Sequence, residues 1–340
     1  MKLASVRYKD EDVVAARLDD VRLVDIRMLS ELKPAPFSIA VPVDMTEVIR
    51  SGRPLLDELE TALEIAREDA GKVQTITAQD VTWHAPVRNP GKICGVAMNN
   101  SASNERRISA PEHPAFFLKP ASCLTGHEQP IRIRPYYGSV HPEPELAVII
   151  GSETRDIPAS RALDAVFGYS IFNDITGNGM RAEDMFEYWA VYAGEDNSAE
   201  TVRVRQHLSY AGRYKGTDTF GCSGPWLVTK DEVENPDELN VYCKAGGELI
   251  AEDNTRNYNF KVAEIISFIS QFLTLYPGDI ISCGTAFKPS ATRKSIHHAN
   301  LQVVKGPVEV GIDGLGTLVN PVTVENREPG QWRLNIGGFR

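Results

Sequence analysis

Cysteine is scarce in this chain and scattered: Cys94, Cys123, Cys222, Cys243 and Cys283 are odd in number and never form a C-x-x-C pair. Reduced thiols fit that pattern better than a disulfide framework or a zinc cage. Basic blocks are missing as well. With a formal net charge of −10 and no arginine-rich stripe, the chain lacks the electrostatic footprint of a nucleic-acid partner, which is discarded. No apolar run approaches the roughly twenty residues that span a bilayer, and "MKLASVRYKDEDVV" is too charged for a signal peptide. No membrane partner is expected, and the expected location is the cytoplasm. G-x-S-x-G, H-E-x-x-H and Walker motifs are absent, as are internal repeats and low-complexity tracts.

What is present is ordinary globular composition: 340 residues, 42% hydrophobic and 24% charged, enough for a sizeable core. "KLASVRY", "VVAARLDD" and "VRLVDI" read as a small strand meander. In "PLLDELETALEIARED", Leu55, Leu56, Leu59, Leu63 and Ala66 recur at helical spacing. Together they suggest a small N-terminal domain over 1–88, with the proline-containing "APVRNPGK" as linker and a second domain over 89–340. The second part is rich in short strands, from "KICGVAM" to "GTLVNPV", with helices expected in "SRALDAVFG" and "FKVAEIISFISQFLTL". In the latter, Val262, Ile265, Ile266, Ile269, Phe272 and Leu273 form one apolar face, and the scarcity of charge implies burial on more than one side. Strands and helices do not alternate regularly, so the fold class is α+β with mixed sheets rather than doubly wound.

The stretch "HPEPELAVIIG" puts Glu143 and Glu145 two residues apart, on one side of a strand. Two ionised carboxylates so placed repel, and a hard divalent cation turns repulsion into coordination. Pro142 and Pro144 cannot donate to a ladder, so this half reads as an edge or rim, and two solvated glutamates on an edge strand are the plain alternative. Downstream, "GYSIFNDITGNGMRAED" ends a strand at Asp174, which supplies a third oxygen donor or caps the next helix. Its "GNGMRA" matches a dinucleotide fingerprint but lies outside any βαβ array, so it is set aside. Lys215 precedes a glycine-rich loop and can pair with a substrate carboxylate or remain a solvated surface group. Gly284 and Thr285 end a buried strand, where amide and hydroxyl can bind a carboxylate. Cys222 reads as a core thiol rather than a nucleophile.

The segments "PGKICGVAMN", "PAFFLKPASCLTG", "HPEPELAVIIG", "GYSIFNDIT", "KGTDTFGCSGPWLVT", "LYPGDIISCGT" and "GIDGLGTLVNPV" occur in the order seen in the fumarylacetoacetate hydrolase family, which this chain resembles from about residue 88 to 322. The resemblance implies a mixed β-roll core, usually in a homodimer. It also implies Mg²⁺ or Mn²⁺ (Ca²⁺ as an alternative) on Glu143, Glu145 and Asp174, with Lys215 and Thr285 binding the substrate. The implied substrate is a 2-oxo or 2,4-dioxo acid, and the implied chemistry is stabilisation of its enolate, most often leading to carbon–carbon hydrolysis.

Two motifs depart from that family. In "NNSASNER", Ser103 stands at the position of the lid histidine and Arg106 at that of the glutamate, which leaves Glu105 as the nearest candidate base. Serine does not titrate near neutrality and cannot replace imidazole. His113, His141, His297 and His298 are the imidazoles the fold can bring in. In the substrate-binding motif after Asp174, Asn178 takes the arginine position and Arg181 the glutamine position. The longer stretch that follows, with "MFEYWAVY", is expected to reshape the pocket. Hydrolysis therefore stands first, lyase, dehydratase, decarboxylase or tautomerase chemistry second, and an inactive binding protein third.

Overall fold

The computed structural model describes residues 1–32, 37–100, 102, 108, 110–195, 200–328 and 330. Its main sheet runs, in spatial order, Ile76–Thr77, Arg22–Asp25, Glu11–Arg17, Lys2–Tyr8, Gly221–Thr229, Val166–Asp174, Pro144–Ile150, Ile280–Ser282, Ile93–Ala97 and Ala115–Lys119. Most neighbours are antiparallel, while Ile280–Ser282 and Ile93–Ala97 are parallel. A second sheet of four strands, Glu248–Asn254, Asn240–Ala245, Val308–Ile312 and Gly316–Asn320, completes the mixed α+β architecture. The N-terminal meander belongs to the main sheet. Lys2 pairs with Val228 and Leu3 with Leu227, so the sheet is continuous across the expected boundary at 88.

Two helices cover the apolar surfaces. Asp44 caps the helix Met45–Glu68 by accepting from the Thr46 amide at 2.8 Å. Gly52, at φ 64°, and Pro54 interrupt it, and beyond them Leu55, Leu59 and Leu63 bury one face at 3.6-residue spacing. At the helix Val262–Phe272, the Glu264 carboxylate accepts from the Lys261 amide at 2.7 Å. Val262, Ile265, Ile266 and Ile269 are fully buried, each stabilising the fold by about 1.5–3 kcal/mol. The buried face ends there. Phe272 is 57% exposed, so burial on several sides, expected from the lack of charge, does not extend through the last turn. The segment 159–165, expected as an α-helix, is a 3₁₀ helix, Ala159–Ala165, that leads directly into Val166–Asp174.

The acidic strand is not an edge. All seven residues of Pro144–Ile150 are buried, and the strand lies between Val166–Asp174 and Ile280–Ser282. Pro144 is tolerated because it is the first residue, where a missing amide removes no central ladder bond. Its carbonyl still accepts from Ala286 at 2.8 Å.

Candidate metal centre

Strand alternation brings the carboxylates together, and hydrogen bonds from neighbouring loops fix them. The Glu143 amide donates to Asn173 Oδ1 at 3.0 Å, and the Asp174 amide donates to the Glu143 carbonyl at 2.9 Å. Glu145, 1% exposed, accepts from Ser282 Oγ at 2.5 Å and from the Gly284 amide at 2.9 Å. Gly284 has φ +102°, and a Cβ there would meet Asn99 Cβ at 2.7 Å, so only glycine presents this amide without strain. Ligand oxygens of Glu143, Glu145 and Asp174 all lie within 4.8 Å of one another.

Two lysines face the trio. Lys215, 7% exposed rather than solvated, donates to Asp174 Oδ2 at 2.5 Å and to Glu143 Oε2 at 2.8 Å. Burial alone would pull its pKa down, yet Asp174 and Glu143 outweigh burial and hold the ammonium above its ordinary value. Lys119 donates to Asp174 Oδ1 at 2.5 Å, to the Phe220 carbonyl at 3.1 Å and to the Lys215 carbonyl. Glu143 is held well below the carboxylate range. Burial works against ionisation there, but the Lys215 charge and the His141 hydrogen bond, 3.0 Å from Nε2 to Oε1, overcome it. Glu145 goes the other way, pushed up to about 8 by burial and by Asp174 and Glu143. Three carboxylates against two ammoniums leave one negative charge in excess, and the all-oxygen donor set suits a hard divalent cation. These residues can hold one.

A cavity of about 340 Å³ opens above the trio. Glu143, Lys215 and Thr285 meet Arg181 and His297 on its wall, with Phe117, Tyr214 and Phe287 as apolar lining. Thr285 Oγ1 lies 3.1 Å from Glu143 Oε2 and 3.4 Å from Glu145 Oε1. Arg181 stacks over the Tyr214 ring at 5.9 Å. Its neighbours Glu183 and Asp184 are taken by Arg213, and among the described residues no carboxylate pairs with it. His141 is fully buried behind Glu143, its ring 4.4 Å from that of His297.

Other expectations fall elsewhere. Asn178 opens the helix Asn178–Glu183 and does not line the cavity. Asp174 accepts from lysines instead of capping that helix, whose N-cap is Gly177. His113 stacks on Phe268 at 4.8 Å, and His298 is exposed outside the cavity. Ser103, Glu105 and Arg106 lie outside the described residues. Cys222 is buried, and burial pushes its thiol up, away from nucleophile chemistry. No aromatic side chain of 185–193 lines the cavity, contrary to the expectation that this stretch reshapes it. Sequence reasoning missed Lys119 and Ser282. The lone lysine in "AFFLKP" was a signal for the first, because an apolar strand seldom carries a charge without a buried partner.

A mixed sheet that ends in a buried carboxylate–lysine cluster beneath an open cavity is the arrangement of a metal-assisted enzyme acting on small acids. The family follows from comparison: residues 92–323 match the model described as fumarylacetoacetate (FAA) hydrolase C-terminal, and the chain belongs to the fumarylacetoacetate hydrolase family. It is 32% identical over 288 residues to the mitochondrial oxaloacetate tautomerase FAHD2B of Bos taurus, covering 84% of this chain and 82% of that one. The human mitochondrial oxaloacetate tautomerase FAHD2A is 30% identical over the same shares. Among solved structures, maleylpyruvate hydrolase from Sphingobium sp. SYK-6 superposes with a TM-score of 0.67 at 27% identity, over 96% of this chain and 100% of that one. The same hydrolase has been solved with manganese(II) and pyruvate, at a TM-score of 0.66 and 28% identity.

Proposed function

We propose that the protein moves a proton at the carbon next to the keto group of a dicarboxylic 2-oxo acid, interconverting keto and enol forms. The observation that carries this reading is the buried trio of Glu143, Glu145 and Asp174 at the floor of a cavity that also displays Arg181. A Mg²⁺ or Mn²⁺ ion bound by the trio would supply Lewis-acid polarisation of the 2-oxo carboxylate. Lys215, kept ionised by its carboxylate neighbours, stabilises negative charge developing on the keto oxygen. Thr285 donates its hydroxyl to the near carboxylate. Arg181, without a carboxylate partner of its own, takes the far one as a charge-assisted pair. His297 is the imidazole on the cavity wall, and the proton-carrying role falls to it.

Proton transfer replaces carbon–carbon hydrolysis as the leading reading because Ser103 and Arg106 stand where the lid dyad of the hydrolases belongs. The curated relatives named oxaloacetate tautomerase support the same choice. Hydrolysis remains the second reading, supported by the likeness to maleylpyruvate hydrolase. The deciding experiment follows enol loss and C3 deuterium uptake in oxaloacetate with Mg²⁺ or Mn²⁺, alongside release of pyruvate from acylpyruvates. Exchange without cleavage supports the tautomerase; cleavage reinstates the hydrolase; neither, with the cation bound, sinks both.

A further inference from the structure

Between the helix Asn178–Glu183 and the helix Gly212–Gly216 the chain leaves the body as an antiparallel ribbon, Met185–Ala193 paired with Thr201–Ser209. The two strands form a sheet of their own. A two-stranded ribbon alone in water is marginal at best.

The register sorts its side chains. Residues directly opposite share a face, so Phe186, Tyr188, Tyr192, Val202, Val204 and Leu208 project together. Only Gln206 is polar among the larger groups on that face, and it is consumed internally: it accepts from Tyr188 Oη at 2.9 Å and donates to Tyr192 Oη at 2.6 Å, fixing both rings. The opposite face carries Glu187, Arg203, Arg205 and His207, with Glu187 paired to Arg205 and His207. One face is built for water and the other is not. Yet Phe186 is 52% exposed, Tyr188 42%, Tyr192 49%, Val202 49% and Val204 43%.

We propose that this apolar face docks on a second copy of the chain, each copy's ribbon lying across the other under a two-fold axis. Area selects that occupant. Nine residues at about 3.3 Å each and two strands about 4.8 Å apart make a face of roughly 30 by 10 Å, or about 300 Å². Set against an unrelated partner, one such face buries about 600 Å² in all, below the roughly 1,000 Å² of a specific interface. Reciprocal docking of two ribbons doubles this to about 1,200 Å², and isologous contact is what a two-fold dimer provides. Rigid aromatic rings at the centre of the patch are the usual anchors of such surfaces.

The ribbon is rooted in the cavity wall. Arg181 lies just before its first strand and Lys215 just after its second, and Arg213 ties the roots through Asp184 at 3.0 Å and Glu183 at 2.7 Å. Docking therefore also holds the segments that carry Arg181 and Lys215.

Sedimentation velocity at micromolar concentration tests the proposal, with circular dichroism as the check on folding. Wild type runs at twice the 37.5 kDa chain mass. The double variant Tyr188→Glu, Val204→Glu runs as a monomer, its dimer dissociation constant raised at least about 100-fold, while Trp189→Glu on the opposite face leaves the dimer intact. If the double variant loses its circular dichroism, a chain in which a short glycine–serine turn replaces 186–208 decides instead, and it must be monomeric. A monomeric wild type overturns the proposal, including one whose ribbon binds lipid vesicles. So does a dimer that the apolar-face variant or the ribbon deletion leaves unchanged, or one that Trp189→Glu breaks equally.

Discussion

Lys119→Met is the most informative single perturbation of the site. The side chain is fully buried and its ammonium donates to Asp174 Oδ1, to the Phe220 carbonyl and to the Lys215 carbonyl. Methionine keeps the apolar stem and removes the charge. Asp174 then keeps Lys215 alone, and two buried carbonyls lose a donor. Breaking a buried pair by removing one partner costs about 3–5 kcal/mol. For a chain of 340 residues, at about 2.1 cal/mol/K of unfolding entropy per residue, that loss lowers Tm by about 4–7 °C. The assay is thermal unfolding in chelator, for wild type, Lys119→Met, Asp174→Asn and the double variant. Asp174→Asn strands two ammoniums, so its own cost falls once Lys119 is gone, and the two losses sum to more than the double variant shows. Adding Mn²⁺ narrows the gap between Lys119→Met and wild type, because the cation supplies positive charge beside Asp174. A Lys119→Met chain that melts within about 1 °C of wild type, or losses that simply add, would refute the account of this cluster as one coupled unit.

Asp174→Ala abolishes the Mg²⁺ and Mn²⁺ binding heat that wild type gives in calorimetry; a wild type that binds neither cation, even with oxalate present, removes the metal centre. Arg181→Met raises KM for oxaloacetate by about 10- to 100-fold, the worth of a charge-assisted hydrogen bond of roughly 1.5–3 kcal/mol, and leaves pyruvate binding nearly unchanged. His127 governs an acid limb of stability. Burial pushes its pKa down to about 4, and its Nδ1 accepts from the Val319 amide at 3.1 Å, a bond that protonation there would break. Between about 4 and 6.5 the unfolded chain binds the proton and the folded one does not. Stability is thus complete above about pH 6.5 and falls by about 3 kcal/mol as pH drops to about 4. Urea titrations across that window should show a shallower fall for His127→Gln, and parallel curves would remove His127 from the account.

What could be read in the sequence was whatever local periodicity encodes. Period-two alternation brought Glu143 and Glu145 to one side, and the end of an apolar strand marked Asp174. The offsets of Val262, Ile265, Ile266 and Ile269 gave the buried helix face. What could not be read depends on chain that returns from far away. Pro144–Ile150 is central only because Ile280–Ser282 arrives on its second side, and nothing in "HPEPELAVIIG" encodes that arrival. The prolines argued for an edge, and a first-residue position satisfied them equally well. Lys119 is a site residue because Ala115–Lys119, although at the edge of the sheet, delivers its last side chain to Asp174, 55 residues away in sequence. The ribbon shows the reverse error. "MFEYWAVY" alternates as a strand does, with Phe186, Tyr188 and Tyr192 on one side, but its aromatic content suggested pocket lining. Aromatic residues mark surface that must be covered without saying what covers it. Here the cavity has its own lining in Phe117, Tyr214 and Phe287, so the ribbon's apolar face needs a cover from outside this chain's cavity.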